Sequence, residues 1–365
     1  MTIAVLSNDH SWTYNLRREL ISELLSHGHR VVLLLPYGKL VDRLVEMGCE
    51  FIDVPYESHG MNPAKELSLY RRYKKHLKQL SPDLVLSYTI KPNVYGGLAC
   101  RALKIPYIVN ITGLGSALHA GGVMQKVVGL LYKAGIGGAY KIFFQNTADR
   151  DFMLARSMVK CEYEVLPGSG VNTEHYHTDT YPAEDGCEFL FISRVLKVKG
   201  ASEYFEAART LHGKYPEARF CICGMCDEEY NEELESLVEK GVIRYYGPLV
   251  DIRTALDSAH CTVLPSYFEG MANALLESAS YSRPVVATDV PGCRETFCDG
   301  VSGISCTVRS AESLTQAMEK FILLPYEEKR KMGEEGRAWV LERFDRKLVL
   351  KAYMDTIEAF ETNRK

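Results

Sequence analysis

At 365 residues the chain is longer than one hydrophobic core usually organises, so two domains are expected. Its 46% hydrophobic and 25% charged residues, without low-complexity tracts, are those of an ordinary globular protein and exclude a disordered chain. A net charge of −4 gives no ground for a nucleic-acid partner, and no apolar stretch approaches the roughly 20 residues that span a bilayer.

The chain opens on a short apolar run, "TIAVLS", without a basic start or a small-residue cleavage site, so a signal peptide is not expected and the protein should remain in the cytoplasm. The segment "LRRELISELLSHGHR" follows. Leu16, Leu20, Ile21, Leu24 and Leu25 make one apolar helix face, and Gly28 can take the left-handed conformation that ends the helix before "RVVLLLP". After "FIDVP" comes "YRRYKKHLKQL", Tyr70 to Leu80, a helix with five cations. Residues 1–160 carry 20 Lys and Arg against 12 Asp and Glu, whereas residues 161–365 carry 23 against 35. The basic helix is thus either a solvated face or a patch that meets anionic lipid headgroups. "LVLSYT", "YIVNIT" and "KIFFQN" complete the first half. Asp149 and Asp151 in "DRD" have metal-binding spacing, but they stand at a helix start after "KIFFQNTA", where capping explains them more simply.

A domain boundary is expected near "LPGSGVNTEHY", Leu166 to Tyr176. Beyond it "EFLFIS", "RFCICG", "VIRYYG", "CTVLPS" and "PVVATD" alternate with helix-length segments, and residues 345–365 read as a final helix. Continuous apolar runs joined by helices indicate parallel sheets covered on both faces, hence two doubly wound α/β domains. The eleven cysteines are scattered, and those of "FCICGMC" lack a second pair or a histidine, so they read as reduced thiols.

Such sheets bind ligands beyond the carboxyl ends of their strands, which directs attention to the loops. After "EFLFIS" one loop carries Arg194 and Lys199, suited to a diphosphate, with Lys197 facing solvent. After "CTVLPS", Glu269 falls in a loop and Glu277 inside a helix starting near Ala272 or Asn273. Eight helical residues span about 12 Å, more than the roughly 5 to 9.5 Å of a glycosidase pair. The helix start suits an anion, and Gly270 permits close approach. A carboxylate further along would suit sugar hydroxyls.

"SRVLKVKG", "EGMANALLE" and "SRPVVATDVPGCRE" together resemble the signature of retaining GT-B glycosyltransferases of family 4, along essentially the whole chain. The resemblance implies two Rossmann-like domains facing a central cleft: residues 1–168 binding acceptor and facing a membrane, residues 169–344 binding a nucleotide sugar, and a helix over 345–365 folding back across both. It places Arg194 and Lys199 on the donor diphosphate, Glu269 on the donor sugar and Glu277 on the ribose, with Gly270, Met271, Ala272 and Asn273 around the donor. Departures are Ala272 where the family has proline, "GMCDEE" in place of glycine-acid-glycine, and a first loop "SNDHSWTYN" without a glycine pair.

In the first half, "YTIKPNVYGG" and "NITGLGSALH" look like the subgroup that transfers sugars, often N-acetylhexosamines, to undecaprenyl-diphosphate-linked saccharides in bacterial surface-glycan or glycoprotein pathways. On that resemblance Lys91, Asn93, Thr112, Gly113 and Gly115 address the acceptor, and His119 stands where some relatives use a histidine near the reaction centre. The expected partners are a UDP-sugar, a polyprenyl-diphosphate-linked acceptor and an anionic membrane surface at the inner face of the cell membrane, with no cofactor and no metal. Two other readings stay open: a non-hydrolysing UDP-sugar epimerase, and a non-catalytic nucleotide-sugar-binding protein at the membrane.

Overall fold

The computed structural model describes residues 1–55, 62–114 and 122–364. The chain divides into two compact units, Met1–Ser169 with Leu348–Lys365, and Gly170–Lys347.

The first unit is built on a seven-stranded sheet, β1 (Thr2–Leu6), β2 (Arg30–Leu35), β3 (Glu50–Asp53), β4 (Leu84–Tyr88), β5 (Tyr107–Ile111), β6 (Lys141–Phe144) and β7 (Glu162–Val165). Its order is β3-β2-β1-β4-β5-β6-β7, and every pairing is parallel. Because successive side chains of a strand point to opposite faces, Ala4 and Leu6 join one core and Ile3 and Val5 another. Leu69, Tyr73 and Leu77 of the helix Pro63–Leu80, with Val128, Tyr132 and Ile136 of the helix Gly122–Ile136, close the first. Leu20, Ile21 and Leu24 of the helix His10–Ser26 close part of the second, and Gly28 does end that helix at φ +75°. The rest of that face is covered by the last helix, Arg346–Arg364, through Val349, Tyr353, Ile357 and Phe360. Tyr353 packs on Phe143 with ring centroids 4.6 Å apart.

The second unit has six parallel strands, β8 (Cys187–Ile192), β9 (Ala218–Cys223), β10 (Arg244–Gly247), β11 (Cys261–Leu264), β12 (Val285–Thr288) and β13 (Gly303–Cys306), in the order β10-β9-β8-β11-β12-β13. Phe189 and Phe191 face one core, Leu190 and Ile192 the other. All eleven apolar runs of the sequence form strands. The structure adds β7, "EYEV", and β13, "GISC", each four residues long at a sheet edge. An edge strand has one neighbour and needs no continuous apolar run.

The cysteines of "FCICGMC" are free thiols, with Cys221 and Cys223 buried in the sheet, where burial pushes the Cys221 thiol up to about 12. Asp149 is a first-turn residue of the helix Thr147–Ala155, and its N–H is capped by Asn146 at 2.7 Å. Among the described residues no group of three or more His, Cys, Asp or Glu is arranged to hold a metal ion, and no helix is long and apolar enough to cross a membrane.

Candidate active site

In the second unit the strand order reverses between β8 and β11, and the loops leaving these two strands flank the place where doubly wound sheets bind ligands. The loop after β8 carries Arg194, exposed, and ends in a tight turn, Lys197–Lys199. Lys197 is exposed. Gly200 follows at φ +74°, and a Cβ there would lie 2.2 Å from the Pro265 carbonyl oxygen, so only glycine lets the β8 and β11 loops meet so closely. Across that contact Lys199 Nζ donates to Glu269 Oε1 at 2.5 Å, joining residues 70 apart in sequence. Ser266 Oγ donates to the same oxygen at 2.7 Å, and Oε2 lies outside both bonds.

A third loop supports the second. Gly292, at φ +83° in the segment after β12, packs its backbone on Glu269, and a Cβ would lie 2.5 Å from the Glu269 carbonyl oxygen. Its N–H donates to Glu295 Oε2 at 2.7 Å, while its carbonyl accepts from Ala272 N–H at 2.8 Å. The motif "PGCRE" thus holds the backbone that carries Glu269 and leads into the next helix.

That helix runs from Asn273 to Ser280 with Ala272 as its N-cap residue and no side chain capping it, so its positive end is not neutralised by a cap. Met271 and Ala272 are buried; Gly270 and Asn273 are partly exposed. Glu277 lies one turn in, partly buried, and burial raises its carboxyl from the ordinary 4.5 to about 7. The Arg346 charge and a hydrogen bond from Tyr176 oppose that rise. These two partners, distant in the sequence, could not be read from the motif.

In the first unit the order reverses between β1 and β4. Lys91, just past β4, donates to Glu66 Oε1 at 2.7 Å, and both side chains are largely buried. Asn93 is fully buried and donates to the Asn110 carbonyl at 2.8 Å, so its amide stitches the β4 and β5 ends together. Thr112 and Gly113 are partly exposed just after β5, with Gly113 at φ +132°. Gly115 and His119 lie outside the described residues.

Sequence reasoning missed a buried polar network at these strand ends. Asn110 Nδ2 donates to the Tyr353 hydroxyl at 2.8 Å, Gln145 donates to Ser169 Oγ at 3.1 Å, and Arg17 donates to the same oxygen at 3.1 Å. Its available signal was the polar residue ending each apolar run, Asn110 in "YIVN" and Gln145 in "KIFFQ".

Two family models match the chain, glycosyl transferase 4-like over residues 3–146 and glycosyl transferases group 1 over residues 173–339. Together they cover most of it. An N,N'-diacetylbacillosaminyl-diphospho-undecaprenol alpha-1,3-N-acetylgalactosaminyltransferase of Campylobacter jejuni is 26% identical over 97% of both chains. A UDP-Gal:alpha-D-GlcNAc-diphosphoundecaprenol alpha-1,3-galactosyltransferase of Escherichia coli is 24% identical over 70% of both. Among solved structures, HepE of Anabaena in complex with UDP-glucose superposes with a TM-score of 0.80 over 98% of this chain and 100% of that one, at 16% identity, so the two share the GT-B fold.

Proposed function

The chain belongs to the group 1 glycosyltransferases, its N-terminal half glycosyl transferase 4-like, and from this premise we propose that it moves a hexosyl or N-acetylhexosaminyl group from a UDP-sugar, with retention at the anomeric carbon, to a saccharide carried on a polyprenyl diphosphate. The observation that carries the donor assignment is the Lys199–Glu269 pair at the switch point, with the Arg194 cation on the same loop. The acceptor class rests on the names of the Campylobacter jejuni and Escherichia coli relatives, and the UDP on the latter.

In this reading the donor diphosphate lies between Arg194, Lys199 and the uncapped start of the helix Asn273–Ser280, which together offset its charge without a metal ion. As the bond from the anomeric carbon to the diphosphate oxygen breaks, negative charge grows on that oxygen, and positioned cations stabilise it most where charge develops. The acceptor hydroxyl oxygen bonds to the anomeric carbon on the same face, and its proton passes to the departing diphosphate. Glu269 orients the donor sugar by accepting from its hydroxyls. Glu277 takes the ribose hydroxyls, which replace Tyr176 as donors to its carboxylate. Gly270, Met271, Ala272 and Asn273 line the donor through the backbone.

The acceptor is assigned to the first unit, with Lys91 on its phosphate or sugar and Thr112 and Gly113 beside it, while Asn93 holds the loop from within. The exposed cations of the helix Pro63–Leu80 would bring the enzyme to an anionic membrane surface at the inner face of the cell membrane.

The deciding experiment incubates the protein with a panel of UDP-sugars, with and without short polyprenyl-diphosphate saccharides, and reads products by mass spectrometry and anomeric configuration by NMR. Acceptor-dependent formation of an α-linked product, unchanged by EDTA, is expected. Conversion of a UDP-sugar without acceptor would replace this reading by an epimerase, and an inverted product would overturn retention.

A further inference from the structure

Besides its core face, the helix Pro63–Leu80 presents Leu67 and Tyr70 toward two neighbouring helices. Leu67 and Tyr70 on it, Leu98 and Ala102 on the helix Gly97–Leu103, and Val127 and Leu131 on the helix Gly122–Ile136 line an open hollow of about 760 Å³. Its size falls in the range of small-molecule sites. Leu67 and Val127 are 46% and 42% exposed, a cost to leave uncovered on both walls of one hollow.

Glu66 lines the hollow, and its carboxylate holds Lys91 at 2.7 Å, just past the carboxyl end of β4 where the acceptor is assigned. Arg101 lines the hollow as well, and Lys74 Nζ stands 5.8 Å from the ring of Tyr70. A lining dominated by hydrocarbon, with Arg101 in it and Lys91 held beside it by Glu66, complements a molecule that has an anionic head and a hydrocarbon chain. A peptide fits poorly, since each of its residues brings an N–H and a C=O that need partners, and this lining is dominated by hydrocarbon.

Resting on the acceptor reading above, we propose that this hollow seats the first isoprene units of the acceptor's polyprenyl chain, with the diphosphate beside Lys91. The lipid is then a recognised part of the substrate, and the enzyme measures the acceptor from its lipid as well as from its sugars.

The test uses the full chain and three probes without sugar, isopentenyl, farnesyl and geranylgeranyl diphosphate, titrated by calorimetry, so its outcome does not depend on turnover. Affinity should rise about tenfold or more from the shortest to the longest probe as buried hydrocarbon increases. Leu67→Asn and Val127→Asn, both at partly exposed positions, should remove that gain, leave isopentenyl diphosphate binding unchanged and keep the melting temperature. Affinity independent of chain length, or a gain that survives both substitutions, overturns the proposal. So does a fall in oligomer size in the variants with probe binding intact, which would mark the hollow as a contact between copies, or a loss of vesicle flotation alone, which would mark it as a membrane contact. Failure of every polyprenyl-linked acceptor in the transfer screen would strike the functional reading instead, and is read separately.

Discussion

Lys199 and Glu269 illustrate how much rests on single contacts. Lys199→Ala removes one of the two cations assigned to the diphosphate and leaves a largely buried carboxylate that keeps Ser266 as a donor. Loss of one positioned donor to a developing anion typically costs about 10² to 10³ in kcat, so steady-state kinetics of Lys199→Ala should show that fall with the fold intact by circular dichroism. Glu277 offers a second measurement. Its folded value of about 7 stands above the 4.5 of an exposed glutamate. Between those pH values the unfolded chain is ionised while the folded one still holds the proton. Stability therefore falls as pH climbs through that window, by a ceiling of about 3 kcal/mol, and Glu277→Gln should flatten the dependence in denaturant titrations of the ligand-free protein. Donor binding runs the other way. Ribose hydroxyls donate best to the ionised carboxylate, so UDP-sugar affinity should tighten between pH 6 and 8, and Glu277→Gln should weaken it about tenfold to a hundredfold, the worth of a hydrogen bond to a charged acceptor. The carboxylate's place on a helix was legible in the chain, since "ANALLE" follows a strand and its loop. Tyr176 and Arg346 were not, because their approach depends on how the second unit closes on itself through the Val171 and Asp345 backbones.

Elements were legible where physics writes them into a local pattern. Strands buried on both faces are continuous apolar runs, and all eleven such runs are strands; β7 and β13 escaped because "EYEV" and "GISC" break their apolar residues at every other position. Loops followed from strand ends, yet which loops meet did not, and it took Gly200 and Gly292 to bring the β8 and β12 segments onto Glu269. The segment Tyr70 to Leu80 reads as a helix with five cations, whereas the hollow that Leu67 and Tyr70 line needed two more helices to become visible. Arg71, Arg72, Lys75 and Lys78 are exposed on it. A cation near an anionic bilayer is worth about 1 kcal/mol and is screened within a Debye length. Replacing those four by Gln should reduce flotation with phosphatidylglycerol-containing vesicles by two orders of magnitude or more at low salt, about tenfold per pair even with partial engagement, and the difference should shrink as salt is raised.

At the scale of the whole molecule the first unit is discontinuous in sequence and the second is not. Residues 170–347 contain β8 to β13, both of that unit's sheet faces and the parallel bridge between Val171 and Asp345. Expressed alone they should fold and bind UDP, as read by calorimetry. Residues 1–169 lack the helix that covers one sheet face, where Val349, Tyr353, Ile357 and Phe360 are buried. Each such side chain contributes about 1.5 to 3 kcal/mol on burial, and the four together rival the roughly 5 to 15 kcal/mol that holds a whole domain folded. The buried Asn110 amide would also lose its Tyr353 partner. Truncation after Lys347 should therefore unfold the first unit while the second still binds UDP, leaving one calorimetric transition, that of the second unit, with acceptor transfer abolished. A synthetic peptide of residues 348–365 added in trans should restore a folded first unit to some fraction of the truncated chains. Loss of that remaining transition and of UDP binding after truncation would mean that the second unit depends on the first, against the completeness of its own core.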